Sequence, residues 1–303
     1  MRAQVNFVWK VGFSTVVPLL VLTFLLGAQF PAHAAGKKKR DLPDEVQRVG
    51  TIDDVSLVEC SGVVASRQFP GILWTHNDGG GRRASLYAMN RAGKVTARFP
   101  IVGVALEDWE DLAIDGSKQL YLADTGNNEQ KRRSISIHQI DEPNPANPNA
   151  RLMPKQSWTL TYPGKPFDCE SLFVWGEFGY VISKVFDDRA AELYRFPLAA
   201  QTRAVPLERV AELPITSPVT GATISADGAV IGVISKAGAF AFTVGGQIEP
   251  GKLSAPYRIK FKHDHVEGCC FVPGGLLITA ESREIFLLTD PAFQTDTPRP
   301  RAN

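Results

Sequence analysis

Beyond Ala35 no stretch of this chain sustains an apolar stripe of helical period, which excludes a helical bundle or helical solenoid. No Gly-x-Ser-x-Gly elbow is present, so the strongest cue for a serine hydrolase is missing. The glycines at 79–81 precede no helix pattern and no Gly-Lys-Ser/Thr follows them, so they read as a hairpin turn rather than a phosphate loop. Cysteine is scarce, 4 residues in all, and Cys60, Cys169, Cys269 and Cys270 form no paired Cys-x-x-Cys zinc signature. There is also no surplus of positive charge: 33 basic residues face 32 acidic ones. Nucleic acid is therefore excluded as a partner, because phosphate binding needs an accumulated positive face. The basic cluster at 37–40 reads as a solvated linker.

What is present begins with a targeting pattern. Arg2 and Lys10 precede an apolar run at 11–30, and Ala32-His33-Ala34 supplies a small-x-small cleavage site. Residues 1–34 are expected to be a signal peptide, which puts the protein in the periplasm or outside the cell. An uncleaved anchor is the alternative, since the run approaches the length of a membrane span. With the peptide cleaved, no stable membrane insertion is expected. Residues 35–45 and 294–303 are charged or Pro-rich and apolar-poor, and are expected to be a disordered linker and tail around a single domain at 46–293.

Inside that domain one acidic phrase recurs ahead of each β-patterned run. Aligning Ser61, Glu110, Glu170, Thr220 and Glu267 gives spacings of 49, 60, 50 and 47, the period of a β-propeller blade. Four strands per blade follow from period-2 patterns and Gly/Asn/Asp punctuation: 62–66, 71–76, 85–89 and 94–100 in the first blade, with matching sets in the next three. The fifth blade has room for only three, at 268–272, 275–280 and 284–289. The segment at 46–52 supplies its fourth, joining the two ends of the chain and removing open sheet edges. The expected fold is all-β, a five-bladed β-propeller closed by this N-terminal strand. Six blades are the alternative, if the Pro/Asn connection at 141–154 hides further strands.

In such a fold the first strand of each blade lines the central channel, so one repeat position converges on the axis. Glu110, Glu170 and Glu267 form the expected inner ring. Residues two positions earlier, Glu59, Asp108, Asp168 and His265, form a second tier on the same strand face. The ends of the second strands add Asn77, Asp124, Lys184, Lys236 and Glu281 to the same rim, with Asp78 and the turn at 126–128 beside them.

Converging carboxylates raise one another's pKa and need a metal ion, basic partners or shared protons. Oxygen donors from Asp and Glu suit a hard cation, and Ca²⁺ on Glu110, Glu170 and Glu267 is the metal reading. Structural ion pairing by Lys184, Lys236, Arg132 and Arg133 is the second, and a catalytic carboxylate dyad without metal the third. His76 is expected to hydrogen-bond its own loop, while Trp109 and Trp175 are expected to pack between blades. The cysteines are expected as buried thiols, with a bridge from Cys60 to Cys269 or Cys270 the alternative.

Several of these phrases resemble an uncharacterised family of secreted bacterial β-propeller proteins. They are Glu59-Cys-Ser-Gly-Val-Val-Ala-Ser, Leu73-Trp-Thr-His-Asn-Asp-Gly-Gly, Asp108-Trp-Glu-Asp-Leu-Ala, Asp124-Thr-Gly-Asn-Asn with Arg132-Arg133, Asp168-Cys-Glu-Ser-Leu and Val219-Thr-Gly-Ala. The resemblance runs from about Ser56 to Ala280 and implies fold and export rather than an activity. More distantly, the Glu-Gly and Glu-Ser openings are similar to those of SdiA-regulated, phytase-like esterase and lactonase propellers, which carry axial Ca²⁺. Those groups usually have six blades, and Ser61 and Thr220 depart from their ring of Glu. No catalytic residue carries across. The functional expectation is an exported module binding a small ligand or cation at its acidic rim, with an unidentified small molecule, glycan or protein as partner. The alternative is a hydrolase of a glycoside, ester or phosphoester using that rim.

Overall fold

Five small antiparallel sheets, each begun by a strand buried along nearly its whole length, are arranged around one axis in a computed structural model that describes residues 42–79, 84–148, 150–263 and 265–294. The expected signal peptide, most of the expected linker and nearly all of the expected tail lie outside the described residues. Among the described residues no helix is long and apolar enough to cross a membrane.

The first blade is β2 (Cys60–Ala65), β3 (Leu73–Asn77), β4 (Ser85–Met89) and β5 (Val95–Pro100) in sequential order. The second is β6 (Trp109–Ile114), β7 (Gln119–Asp124), β8 (Ser134–Asp141) and β9 (Gln156–Thr161). A two-residue strand, β13 (Val205–Pro206), adds to β9 in parallel. The third blade is β10 (Phe173–Trp175), β11 (Phe178–Ile182), β12 (Glu192–Pro197) and β14 (Glu208–Glu212). The fourth is β15 (Val219–Ile224), β16 (Val230–Ser235), β17 (Gly238–Thr243) and β18 (Tyr257–Lys260). The fifth is β19 (Val266–Val272), β20 (Gly275–Ala280) and β21 (Glu284–Leu288), and β1 (Val46–Thr51) completes it by pairing antiparallel with β21, from Val46 opposite Leu288 to Thr51 opposite Glu284.

The closure is the expected one. The long connection after β8 holds no blade: it makes one isolated bridge, Leu152 to Ile101, and Glu142 reaches back to accept a hydrogen bond from the Trp74 indole at 2.7 Å. It is a strap across the first blade. The strand β13 was not expected. It is too short for a periodic signal, and Pro206 suits only a sheet edge.

Buried apolar side chains fall into five clusters, one between each pair of neighbouring blades. Each sheet is thus covered on both faces, which is why inner strands such as Val230–Ser235 read as continuous apolar runs rather than alternating ones. Trp109 is buried between the first and second blades, and Trp175 packs against the cluster shared by the third and fourth. All four cysteines are free and buried.

Candidate functional site: an acidic pocket on the propeller axis

The ring residues owe their aim to a repeated irregularity. In four of the inner strand pairs the register slips by one residue: between Cys60 and Val63, Trp109 and Asp111, Val219 and Gly221, and Val266 and Gly268. Each slip is a β-bulge at the ring position, and a bulge turns its extra side chain out of the regular pleat. In the third blade the same region is looser, with Asp168 bridged to Lys184 ahead of β10. The bulges bring Glu110, Glu170 and Glu267, all buried, to one small axial cavity of about 70 Å³. Its lining also includes Glu59, Ser61, Asp78, Lys184, Lys236 and Glu281.

A backbone bond repeated in every blade ties the second tier to the end of the second strand. Asp78 N–H donates to Glu59 O at 2.8 Å, Thr125 to Asp108 at 3.1 Å, Lys184 to Asp168 at 2.7 Å, Lys236 to Pro218 at 3.2 Å and Glu281 to His265 at 2.9 Å. The equivalent residue is therefore Asp78 in the first blade and Thr125 in the second, one position beyond Asn77 and Asp124. Aligning Asn77 and Asp124 with Lys184, Lys236 and Glu281 falls one residue short of that bond.

This register gives the rim two halves. On the side of the first two blades, Asp78, Asp108 and Glu110 present carboxylate oxygens within 4.8 Å of one another. Glycine makes the approach possible. A Cβ on Gly79 would lie 2.6 Å from Trp109 N, and one on Gly126 would lie 2.3 Å from both the Asp108 and Glu110 carboxylates. Ser61, which holds the ring position in the first blade, donates its hydroxyl to the Glu110 carbonyl. The carboxylate that the first blade lacks at the ring is supplied by Asp78 from its second strand.

Burial, then the charges of Asp108 and Glu59, pushes the Asp78 carboxyl up to about 7. Burial first, then Asp78, Asp108 and Asp168, holds Glu110 well above the usual carboxylate range. Asp108 is raised by burial and by Asp168, with Arg132 opposing. The Oδ1 atom of Asp78 is buried and accepts no hydrogen bond from the described residues.

The other half is ion-paired. The Lys184 ammonium binds Glu170 and lies 3.8 Å from Asp168. Even so, Asp168 Oδ2, Glu170 Oε2 and the Thr220 hydroxyl are buried without hydrogen-bond partners among the described residues. Glu267 is raised to about 7 by burial and by Glu281, against the pull of Lys236 and Lys184.

Asp124 caps the turn, accepting the Asp108 N–H at 2.9 Å and pairing with Arg132 at 3.1 Å. His265 stands exposed at the outer rim, 3.1 Å from Glu281, and does not line the cavity. His76 is buried, stacks on Trp109 with ring centroids 3.9 Å apart, and accepts the Gly62 N–H on Nε2, so Nδ1 carries the proton toward Asn77 O. Burial lowers its pKa to about 3, which keeps it a neutral packing residue.

One buried carboxylate on the inner strands escaped the sequence reading. Asp111 follows the ring position, where the other blades carry Gly62, Ser171, Gly221 and Gly268. It accepts N–H bonds from Leu112 at 2.8 Å and from Leu172 of the third blade at 2.7 Å. A Cβ at Gly62 would lie 2.6 Å from its Oδ1. It clips the second blade to the third. That four partners at this position are Gly or Ser was the available signal: five inner strands leave room for one large side chain there.

Fold and site together define the class: a five-bladed β-propeller with an acidic axial pocket. No protein-family model matches the sequence. Among curated proteins no relative was found. The fold is similar to that of the Malassezia sympodialis allergen Mala s 1, at TM-score 0.51 and 12% identity over 86% of this chain and 99% of that one. A Thermus thermophilus protein described as an oxidoreductase (glucose dehydrogenase) aligns at TM-score 0.41 and 13% identity, over 75% of this chain and 81% of that one. The first likeness concerns fold alone, and the second carries no argument.

Proposed function

We propose that this protein is an exported binding module that holds a divalent cation, Ca²⁺, on Asp78, Asp108 and Glu110 at the mouth of its axial channel. The observation that carries this reading is the convergence of three carboxylates within 4.8 Å, one of them with a buried oxygen that no described residue satisfies. Buried acceptors without partners are costly. Hard oxygen donors of this kind match Ca²⁺, which takes six to eight oxygen ligands and fills vacant positions with water. The ring assignment made from sequence changes accordingly: Glu110 stays in the metal set, while Glu170 is engaged by Lys184 and Glu267 faces Glu281 and Lys236.

Cavity size weighs against a hydrolase acting inside the pocket. Sites for small organic molecules occupy roughly 300–1,000 Å³, whereas this cavity offers about 70 Å³. An ion and a few waters fit; a sugar ring does not.

The test is thermal unfolding of the purified protein in EDTA and then across a Ca²⁺ series. Binding to the folded state alone at one hundred times the dissociation constant adds about 2.7 kcal/mol. The expected result is a saturable rise in melting temperature that Asp78→Asn and Glu110→Gln each abolish. A wild type indifferent to Ca²⁺, or variants with the full response, would sink the proposal.

A further inference from the structure

A second cavity opens on the same rim, beside the axial pocket and independent of its carboxylate trio. It is a cleft of about 850 Å³ between the loop that follows β9 and the hairpin loop joining β11 to β12. That volume lies within the range of small-molecule sites. Lys184 lines both cavities, so the cleft runs up to the ion-paired half of the axis.

Three features of the lining point to a ligand. Phe186 is 64% exposed, and it is the one phenylalanine among the large apolar side chains left exposed in the described residues. The Lys184 ammonium, 5.3 Å from its ring centroid, holds it against the rim. Deeper in, Phe167 stacks on Tyr194 with centroids 4.8 Å apart. An exposed aromatic standing over an aromatic-lined cleft of this size is an anchor for a ring.

The charges in the cleft are unequally spent. Asp187 is held by Arg189 at 2.8 Å, Glu192 by Arg209 at 2.5 Å, and Glu212 by Arg209 at 3.5 Å. Lys165 is exposed and makes no ion pair among the described residues. It sits between Pro163 and Pro166, whose fixed backbone angles limit the freedom of its loop. The cleft therefore offers one uncommitted cation and no uncommitted acid among those three carboxylates.

We infer that this cleft binds a small cyclic carboxylate, with its ring on Phe186 and its acid group at Lys165. Two sources share that chemistry, aromatic acids and acidic sugars, and the probes separate them. Saturation-transfer NMR on the purified protein uses benzoate and glucuronate, each beside its neutral counterpart, benzamide or glucose. EDTA is present throughout, so the outcome does not depend on the cation site.

The expected result is a saturable signal from benzoate, glucuronate or both, weakened at least tenfold for the neutral counterparts. Phe186→Ala and Lys165→Ala should each raise the dissociation constant at least tenfold. Both residues are exposed, so neither change removes core packing, and each variant should keep the Ca²⁺ response of the wild type. Benzoate alone would assign the cleft to aromatic acids, and glucuronate alone to acidic sugars. No saturable signal from either acid, equal binding of the neutral compounds, or binding indifferent to both substitutions would overturn the inference.

Discussion

The raised pKa of Glu267 makes stability depend on pH in a direction opposite to that of a salt-bridged carboxylate. Its carboxyl titrates near 7 in the folded protein against an ordinary 4.5. Between those values the unfolded chain has released the proton while the folded state keeps it, so the folded state loses stability as pH rises. The group's contribution is intact below pH 4.5 and gone above about 7. At about 1.4 kcal/mol per pH unit of displacement, the loss comes to about 3 kcal/mol. Glu267→Gln removes it, because the amide imitates the protonated acid in shape and never ionises. The assay is urea unfolding of wild type and variant at a series of pH values in EDTA. The two should be nearly equally stable at pH 4, with the variant more stable by about 3 kcal/mol at pH 8. A difference that does not change with pH would refute the reasoning.

Two further substitutions probe the geometry. Gly126→Ala places a methyl group 2.3 Å from the Asp108 and Glu110 carboxylates, on a backbone that alanine tolerates; thermal scans should show a folded protein that has lost its Ca²⁺ response. Asp111→Ala strips acceptors from the Leu112 and Leu172 N–H groups. At roughly 1–3 kcal/mol for each buried group left unsatisfied, denaturant unfolding should show a loss of at least about 2 kcal/mol, and Asp111→Asn, which retains one acceptor, should lose less.

Much of this architecture was legible in the residues themselves. The recurring acidic phrase gave the blade count, and the missing strand of the last blade pointed to the segment now seen as β1. Register near the axis was harder to read. Bulges at Ser61, Glu110, Thr220 and Glu267 add one residue where period-2 counting assumes none, and Asn77 and Asp124 stop one residue short of the rim partners Asp78 and Thr125. The grouping of carboxylates was also out of reach. Whether Glu110 meets Glu170 or Asp78 depends on the close approaches at Gly79 and Gly126, and on Lys184 occupying the third blade's side. Those are facts of three-dimensional packing. The two-residue strand at Val205–Pro206 left no pattern to read.

The most direct check on the central claim is a crystal structure of the protein grown in calcium chloride, with anomalous scattering used to locate the ion. The account predicts one axial peak with oxygens of Asp78, Asp108 and Glu110 at about 2.3–2.6 Å, the range of Ca²⁺ coordination. An axis holding only water or a lysine ammonium among those three carboxylates, at saturating calcium, would contradict it.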